Sequence, residues 1–115
     1  QLTDKPEKFF AAEILREKIF FRYKKEIPYS TEVVIEWFKD EPELLRIGAV
    51  IMVERESQKG IMIGEKGAAL KNTGTAARKE MENFFGKKVF LEMLVKVKEK
   101  WRSTKSSLKE FGYED

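Results

Sequence analysis

The sequence predicts an α+β fold with helices packed on one face of a three-stranded sheet, and three observations carry that prediction. The hydrophobic period changes from helical to alternating and back along the chain. Proline and glycine fall where the period changes, as breakers and caps do. The 115 residues supply enough apolar material for one core and too little for two.

The first helix is announced by Thr3-Asp4-Lys5-Pro6-Glu7. Asp4 is a capping residue, Pro6 suits a first turn, and Glu7 stands three positions after Asp4. Phe10, Ile14 and Phe21 follow at helical spacing, and Ile19 and Phe20 widen an apolar face expected in the core. Glu13, Arg16, Glu17 and Arg22 take the wet side. Pro28 stops this helix near Ile27. The period then becomes two. Val33, Ile35 and Trp37 point one way and Glu32, Val34, Glu36 and Phe38 the other, which predicts a strand over 31–39. Asp40-Glu41-Pro42-Glu43 is turn material. Ile47, Ala49, Ile51 and Val53 alternate in a second strand, 45–56, antiparallel to the first. Ile61-Met62-Ile63 suffices for one helical turn. A longer helix starts at Ala68, with Leu70, Ala77, Met81 and Phe84 on one face and Gly86 as its C-terminal cap. Val89, Leu91, Met93, Val95 and Val97 alternate with Lys88, Phe90, Glu92, Leu94, Lys96 and Lys98 in a third strand. A polar tail, 101–115, carries Trp101, Leu108, Phe111 and Tyr113 as anchors and suits a short docking helix.

Composition excludes several chemistries. With no cysteine and no histidine there is no disulfide, no Cys/His zinc site and no Ser-His or Cys-His catalytic pair. No apolar run approaches transmembrane length. The absence of cysteine suits the cytosol. Glu54 and Glu56, on one face of the second strand, have no nucleophile or metal signal beside them and are set aside as an acid/base pair. The chain opens on Gln1 and enters helix-like sequence almost at once, which reads as a piece of a longer protein. Residues 1–45 hold 8 Lys+Arg and 10 Asp+Glu, against 15 and 10 in residues 46–115. The net charges are therefore −2 and +5, so that either an anionic partner docks on the C-terminal part or the excess charge serves solubility alone.

That part contains the informative stretch, Lys59-Gly60-Ile61-Met62-Ile63-Gly64-Glu65-Lys66-Gly67-Ala68-Ala69-Leu70-Lys71. Gly64 and Gly67 permit close approach and unusual backbone angles. The loop opens into a helix N-terminus, which favours anions. Lys59, Lys66 and Lys71 surround it against the single Glu65. A triphosphate-binding loop needs G-x-x-x-x-G-K-[S/T], which is absent, and a dinucleotide fingerprint needs glycine where Met62 stands. What remains is G-x-x-G between two helical segments, the arrangement with which KH domains clamp about four nucleotides by their backbone.

The whole order, helix–strand–strand–helix–GxxG–helix–strand, resembles a type II KH domain, whose three-stranded sheet is mixed. The wording is closer still to one family. Phe9-Phe10-Ala11-Ala12-Glu13-Ile14-Leu15-Arg16-Glu17-Lys18, Glu26-Ile27-Pro28-Tyr29-Ser30, Ile63-Gly64-Glu65-Lys66-Gly67 and Val95-Lys96-Val97-Lys98-Glu99-Lys100-Trp101-Arg102 together resemble the C-terminal domain of the Era GTPases. The resemblance spans Leu2 to about Tyr113. It implies that residues 1–115 form one KH domain, the C-terminal fragment of a longer GTPase. It implies binding of the single-stranded 3′ end of small-subunit ribosomal RNA during small-subunit assembly. It also implies a cytoplasmic protein that can associate peripherally with the inner membrane. GTP and magnesium would belong to the separate GTPase domain, so no catalytic residue, metal ligand or cofactor site is expected in this chain.

The candidate RNA-binding residues are Gly64, Glu65, Lys66 and Gly67 of the loop, with Lys59, Ile61, Ile63, Leu70 and Lys71 around it. Lys66 is the first choice for a phosphate contact. Glu65 either disfavours some phosphate poses or reads a base edge or ribose hydroxyl. Ile61, Ile63 and Leu70 serve equally as core and as an aliphatic floor for bases. Lys96, Lys98, Lys100 and Arg102 form a basic row, ordinarily a solvated strand face, that otherwise extends the RNA path or meets the GTPase domain. Trp37 and Trp101 read as core. The competing functional reading is a regulatory or protein-docking domain with weak or no RNA binding.

Overall fold

The structure, a computed structural model, describes residues 4–23 and 31–98. The predicted stop at Pro28, Lys100, Arg102, Trp101 and the 101–115 tail lie outside the described residues. The order is α1 (Asp4–Tyr23), β1 (Glu32–Asp40), β2 (Leu45–Val53), α2 (Glu56–Ile63), α3 (Ala68–Phe85) and β3 (Val89–Val97), with one 3-10 turn, Glu65–Gly67, between α2 and α3. The α+β class and the element order are those the sequence predicts. The sheet runs β1-β2-β3, with β1 antiparallel to β2 and β3 parallel to it. The parallel pairing requires a long crossover, and α2 and α3 supply it.

β2 is the centre of the core. Ile47, Ala49, Ile51 and Val53 face the helices with exposures of 0–3%, and Val50 and Met52 on the other face are buried too, flanked by their partners on β1 and β3. A strand covered on both faces needs an almost unbroken apolar run, and Leu45–Val53 provides it. β2 ends at Val53, not at residue 56, because Glu54 and Arg55 bend the chain into α2. Glu54 and Glu56 therefore share no strand face. The Gln58 side-chain oxygen fixes the bend by accepting from the N–H groups of Glu54 (2.9 Å) and Arg55 (3.0 Å).

Two core expectations change. In β1 the register shifts between Ile35 and Trp37, so Glu36 is a bulge residue. Beyond it the faces exchange. Phe38 turns inward and packs edge-on to Phe85 at 5.6 Å. Trp37 moves to the outer face, opposite Gly48, where its ring occupies the space a Cβ at Gly48 would need. In α1, Phe9, Phe10, Phe20 and Phe21 are all exposed. The buried stripe is instead Ala11, Leu15, Ile19 and Tyr23, joined by Ala12 and Ile14. The small alanines let α1 approach α3 and β1, which displaces the bulkier rings to the flanks. Phe84, expected inside with Ala77 and Met81, is also exposed and meets Phe10 at 5.1 Å.

α3 ends as predicted at Gly86, whose N–H returns to Glu82 O at 2.9 Å. The Glu82 carboxylate joins this end to β3, accepting from Val89 N–H and from Arg78, both at 3.1 Å. The Val89 hydrogen bond chiefly, aided by Arg78, holds the carboxyl below its ordinary range. A depressed carboxyl contributes stability above its unfolded value and loses it as pH falls through the folded one. The chain is thus expected to lose this contribution below about pH 4.3, the ordinary glutamate value. Glu82→Gln should be less stable at neutral pH and show a shallower decline on acidification, measured as melting midpoint from pH 6 to pH 2.

Candidate nucleic-acid interface

α2 and α3 meet in the G-x-x-G loop, and the backbone there is unlike anything else described in the chain. Gly64 lies at φ 77°, ψ 177°, Lys66 at φ 54°, ψ 27° and Gly67 at φ 77°, ψ 8°. Three of four consecutive residues thus have positive φ, and Lys66 is the only non-glycine to do so among the described residues. For Gly64 the angles are nearly glycine-only. A Cβ there would also stand 2.5 Å from Ala69 Cβ and 2.9 Å from Ala69 N, so the loop folds flush against the start of α3. Gly64 N–H closes α2 on Gly60 O (2.8 Å), and Gly67 N–H returns to Gly64 O (3.1 Å).

The N-terminus of α3 carries no side-chain counter-charge of its own. No side chain caps it at Gly67, and no carboxylate stands in its first turn. Ala68 N–H returns to Glu65 O, and the positive end of the helix dipole stands beside a loop whose Glu65 and Lys66 are exposed. Lys59, Lys66 and Lys71 take part in no ion pair among the described residues, whereas Lys18, Lys87 and Lys98 are paired with Glu80, Asp40 and Glu32. Lys98, at 3.5 Å from Glu32, is thereby drawn into the sheet's own electrostatics, while Lys96 of the basic row remains exposed.

The apolar candidates divide. Ile61 is 40% exposed on α2, while Ile63 and Leu70 are half-buried and pack against the core. Both α2 and α3 also touch the edge strand β3. Met93 of β3 packs against buried Gly74 on α3, at a point where a Cβ would displace the methionine methyl. The two helices and β3 therefore pack together, with the loop at the junction of α2 and α3. The loop and its lysines are legible in the sequence. A buried polar contact behind them is not: the Tyr23 hydroxyl donates to Met62 O at 2.6 Å near buried Thr73. The available signal was Tyr23 continuing the Leu15–Ile19 stripe at i+4.

Among the described residues no group of His, Cys, Asp or Glu is placed to hold a metal, and no helix is long and apolar enough to cross a membrane.

Comparison with known proteins agrees with this geometry. The KH-domain family model matches residues 26–102. GTPase Era of Syntrophus aciditrophicus is 52% identical over 116 residues, covering 99% of this chain and 38% of that protein. GTPase Era of Geotalea daltonii is 53% identical over 114 residues, covering 98% and 38%. The chain thus spans 38% of the length of these relatives, which contain much more than a KH domain. Among solved structures, an Era variant of Aquifex aeolicus bound to GDP and AlF4− superposes with a TM-score of 0.76 at 41% identity, over 92% of this chain and 36% of that one. Era in complex with MgGDPNP and nucleotides 1506–1542 of 16S ribosomal RNA gives 0.77 at 41%, with the same coverage. The chain belongs to the KH-domain family, in the branch formed by the KH domains of the Era GTPases.

Proposed function

We propose that the chain is an RNA-binding module that grips single-stranded RNA by its backbone at Gly64–Gly67. The observation that carries this is the loop itself, whose three positive φ angles set an uncapped helix N-terminus beside exposed Lys66. Phosphates lie against the loop and the start of α3, with Lys66 nearest and Lys59 and Lys71 flanking. Ile61, Ile63 and Leu70 offer apolar surface to bases, and hydrogen bonds to base edges give sequence preference. The structural neighbour that binds nucleotides 1506–1542 of 16S ribosomal RNA supports the 3′ end of small-subunit ribosomal RNA as ligand. Small-subunit assembly is the process in which such a ligand places the chain.

Catalysis is assigned elsewhere. GTP, magnesium and hydrolysis belong to the GTPase domain that accompanies this domain in Era proteins, and that domain is also a partner. A cytoplasmic location, and peripheral contact with the inner membrane, rest on the family likeness. The docking alternative draws on the exposed cluster Phe9, Phe10 and Phe84. Phe84 lies about 24 Å along α3 from Ala68, at 1.5 Å per residue, so a partner there leaves the loop free.

The test exchanges Glu65 and Lys66 for aspartate. Both side chains are exposed and aspartate tolerates the left-handed region, so the circular dichroism spectrum should not change. Binding to RNA of nucleotides 1506–1542 should weaken by about tenfold or more. The slope of log K against log salt should become shallower by about 0.7 for each phosphate the variant no longer neutralises. Unchanged affinity at both low and moderate salt would remove the loop from RNA recognition.

A further inference from the structure

We propose that Tyr23 is a positioning residue for the Gly64–Gly67 loop, so that the C-terminal end of α1 sets how firmly the RNA clamp is held; this rests on the clamp reading above. Tyr23 is 3% exposed and closes the described part of α1. Its hydroxyl crosses 39 positions of sequence to donate to the Met62 carbonyl at 2.6 Å. Met62 is fully buried and lies in the last turn of α2, two residues before Gly64.

Carbonyls of a last helical turn lack the N–H groups that a further turn would bring. Here no further turn follows, because the chain leaves the helical path at Gly64. Tyr23 supplies the donor from another helix. Thr73 supports the arrangement from α3. It is 2% exposed, and its Oγ1 lies 2.9 Å from Ala69 O and 3.3 Å from the Tyr23 hydroxyl, its single proton serving one of them at a time. Ala69 is the residue against which Gly64 packs. One buried polar cluster thus holds the chain two residues before the loop, at Met62, and two residues after it, at Ala69.

A hydrogen bond in such a site is strengthened by its low dielectric surroundings, and removing one partner leaves the other buried and unpaired. Tyr23→Phe removes one oxygen and keeps the ring. The Met62 carbonyl can then be satisfied only if the end of α2 moves, and that end is the entry to the loop.

The experiment compares the chain with Tyr23→Phe, Thr73→Val and Ile47→Val, well below their melting midpoints. Amide hydrogen exchange is read at residues 64–67, and affinity is read for RNA of nucleotides 1506–1542. Tyr23→Phe should speed loop exchange by about tenfold and weaken RNA binding by roughly three- to tenfold, with an unchanged salt slope because every lysine of the site is still in place. Thr73→Val should act in the same direction and less. Ile47→Val trims a fully buried methyl in β2 and should lower the midpoint while leaving loop exchange and RNA affinity unchanged. If Tyr23→Phe destabilises the chain but changes exchange and affinity no more than Ile47→Val does, the positioning role is overturned. If loop exchange quickens yet neither Tyr23→Phe nor the aspartate loop variant alters RNA affinity, the clamp reading itself fails. The tyrosine is then a structural tie only.

Discussion

Replacing Gly64 by alanine is expected to cost roughly 2–6 kcal/mol of stability and to abolish RNA binding. That range combines about 1–3 kcal/mol for holding an L-residue in a glycine-only region with about 1–3 kcal/mol for overpacking. Both penalties are imposed by the same bond. At φ 77°, ψ 177° the new methyl lies against Ala69 Cβ and Ala69 N, and a backbone nitrogen at the start of a helix cannot rotate aside as a side-chain tip can. Relief comes only by moving the loop off α3, which dismantles the anion site as well. Gly67 is the internal comparison. It shares the positive φ, but nothing lies within 4 Å of a Cβ built there. Gly67→Ala should cost only the left-handed penalty, about 1–2 kcal/mol. Denaturant melts of the two variants, with RNA binding measured in parallel, check the ordering.

The second large effect lies in the sheet. Ile51→Ala is expected to destabilise the chain by about 2–5 kcal/mol, as a large-to-small change at a site that cannot collapse. Ile51 is fully buried in the central strand, paired with Val33 on β1 and Val95 on β3, both themselves buried. Backbone hydrogen bonds hold it from both sides, so the space left by the missing atoms persists. Val34→Ala, one position from Val33 on β1 but 41% exposed on the outer face, should change stability by less than about 0.5 kcal/mol. Thermal or urea melts of the pair show whether the helix side of the sheet carries the core.

The loop was readable from sequence because its chemistry is local. Two glycines three apart, a lysine between them and a helix after them say most of what the backbone angles later show. The element order was readable for a similar reason, since each change of period is marked by proline, glycine or a charged turn. Face assignments failed where the deciding interaction is distant. Nothing in Ile35-Glu36-Trp37-Phe38 signals that Glu36 bulges. The cause lies across the ladder, where Gly48 leaves room for the Trp37 ring and Ile47 takes Phe38 as its partner. The phenylalanines of α1 misled for a different reason. Hydrophobicity ranks Phe above Ala, but a helix that packs closely on its neighbours seats its smallest residues at the contact, here Ala11 and Ala12. Tyr23 was hidden because its partner is a carbonyl, and a carbonyl has no identity in a sequence.

The bulge at Glu36 also bears on how copies of this chain behave toward one another. β1 forms one border of the described sheet, with its outer side unpaired, and a straight unpaired border invites an extended strand from another molecule to zip onto it. Successive donors and acceptors fall out of step at Glu36, and Glu32, Glu36, Lys39 and Asp40 crowd that rim with charge. An incoming strand would find its rungs misaligned after a few residues. The irregularity that turns Trp37 outward thus works against extension of the ladder by a second molecule.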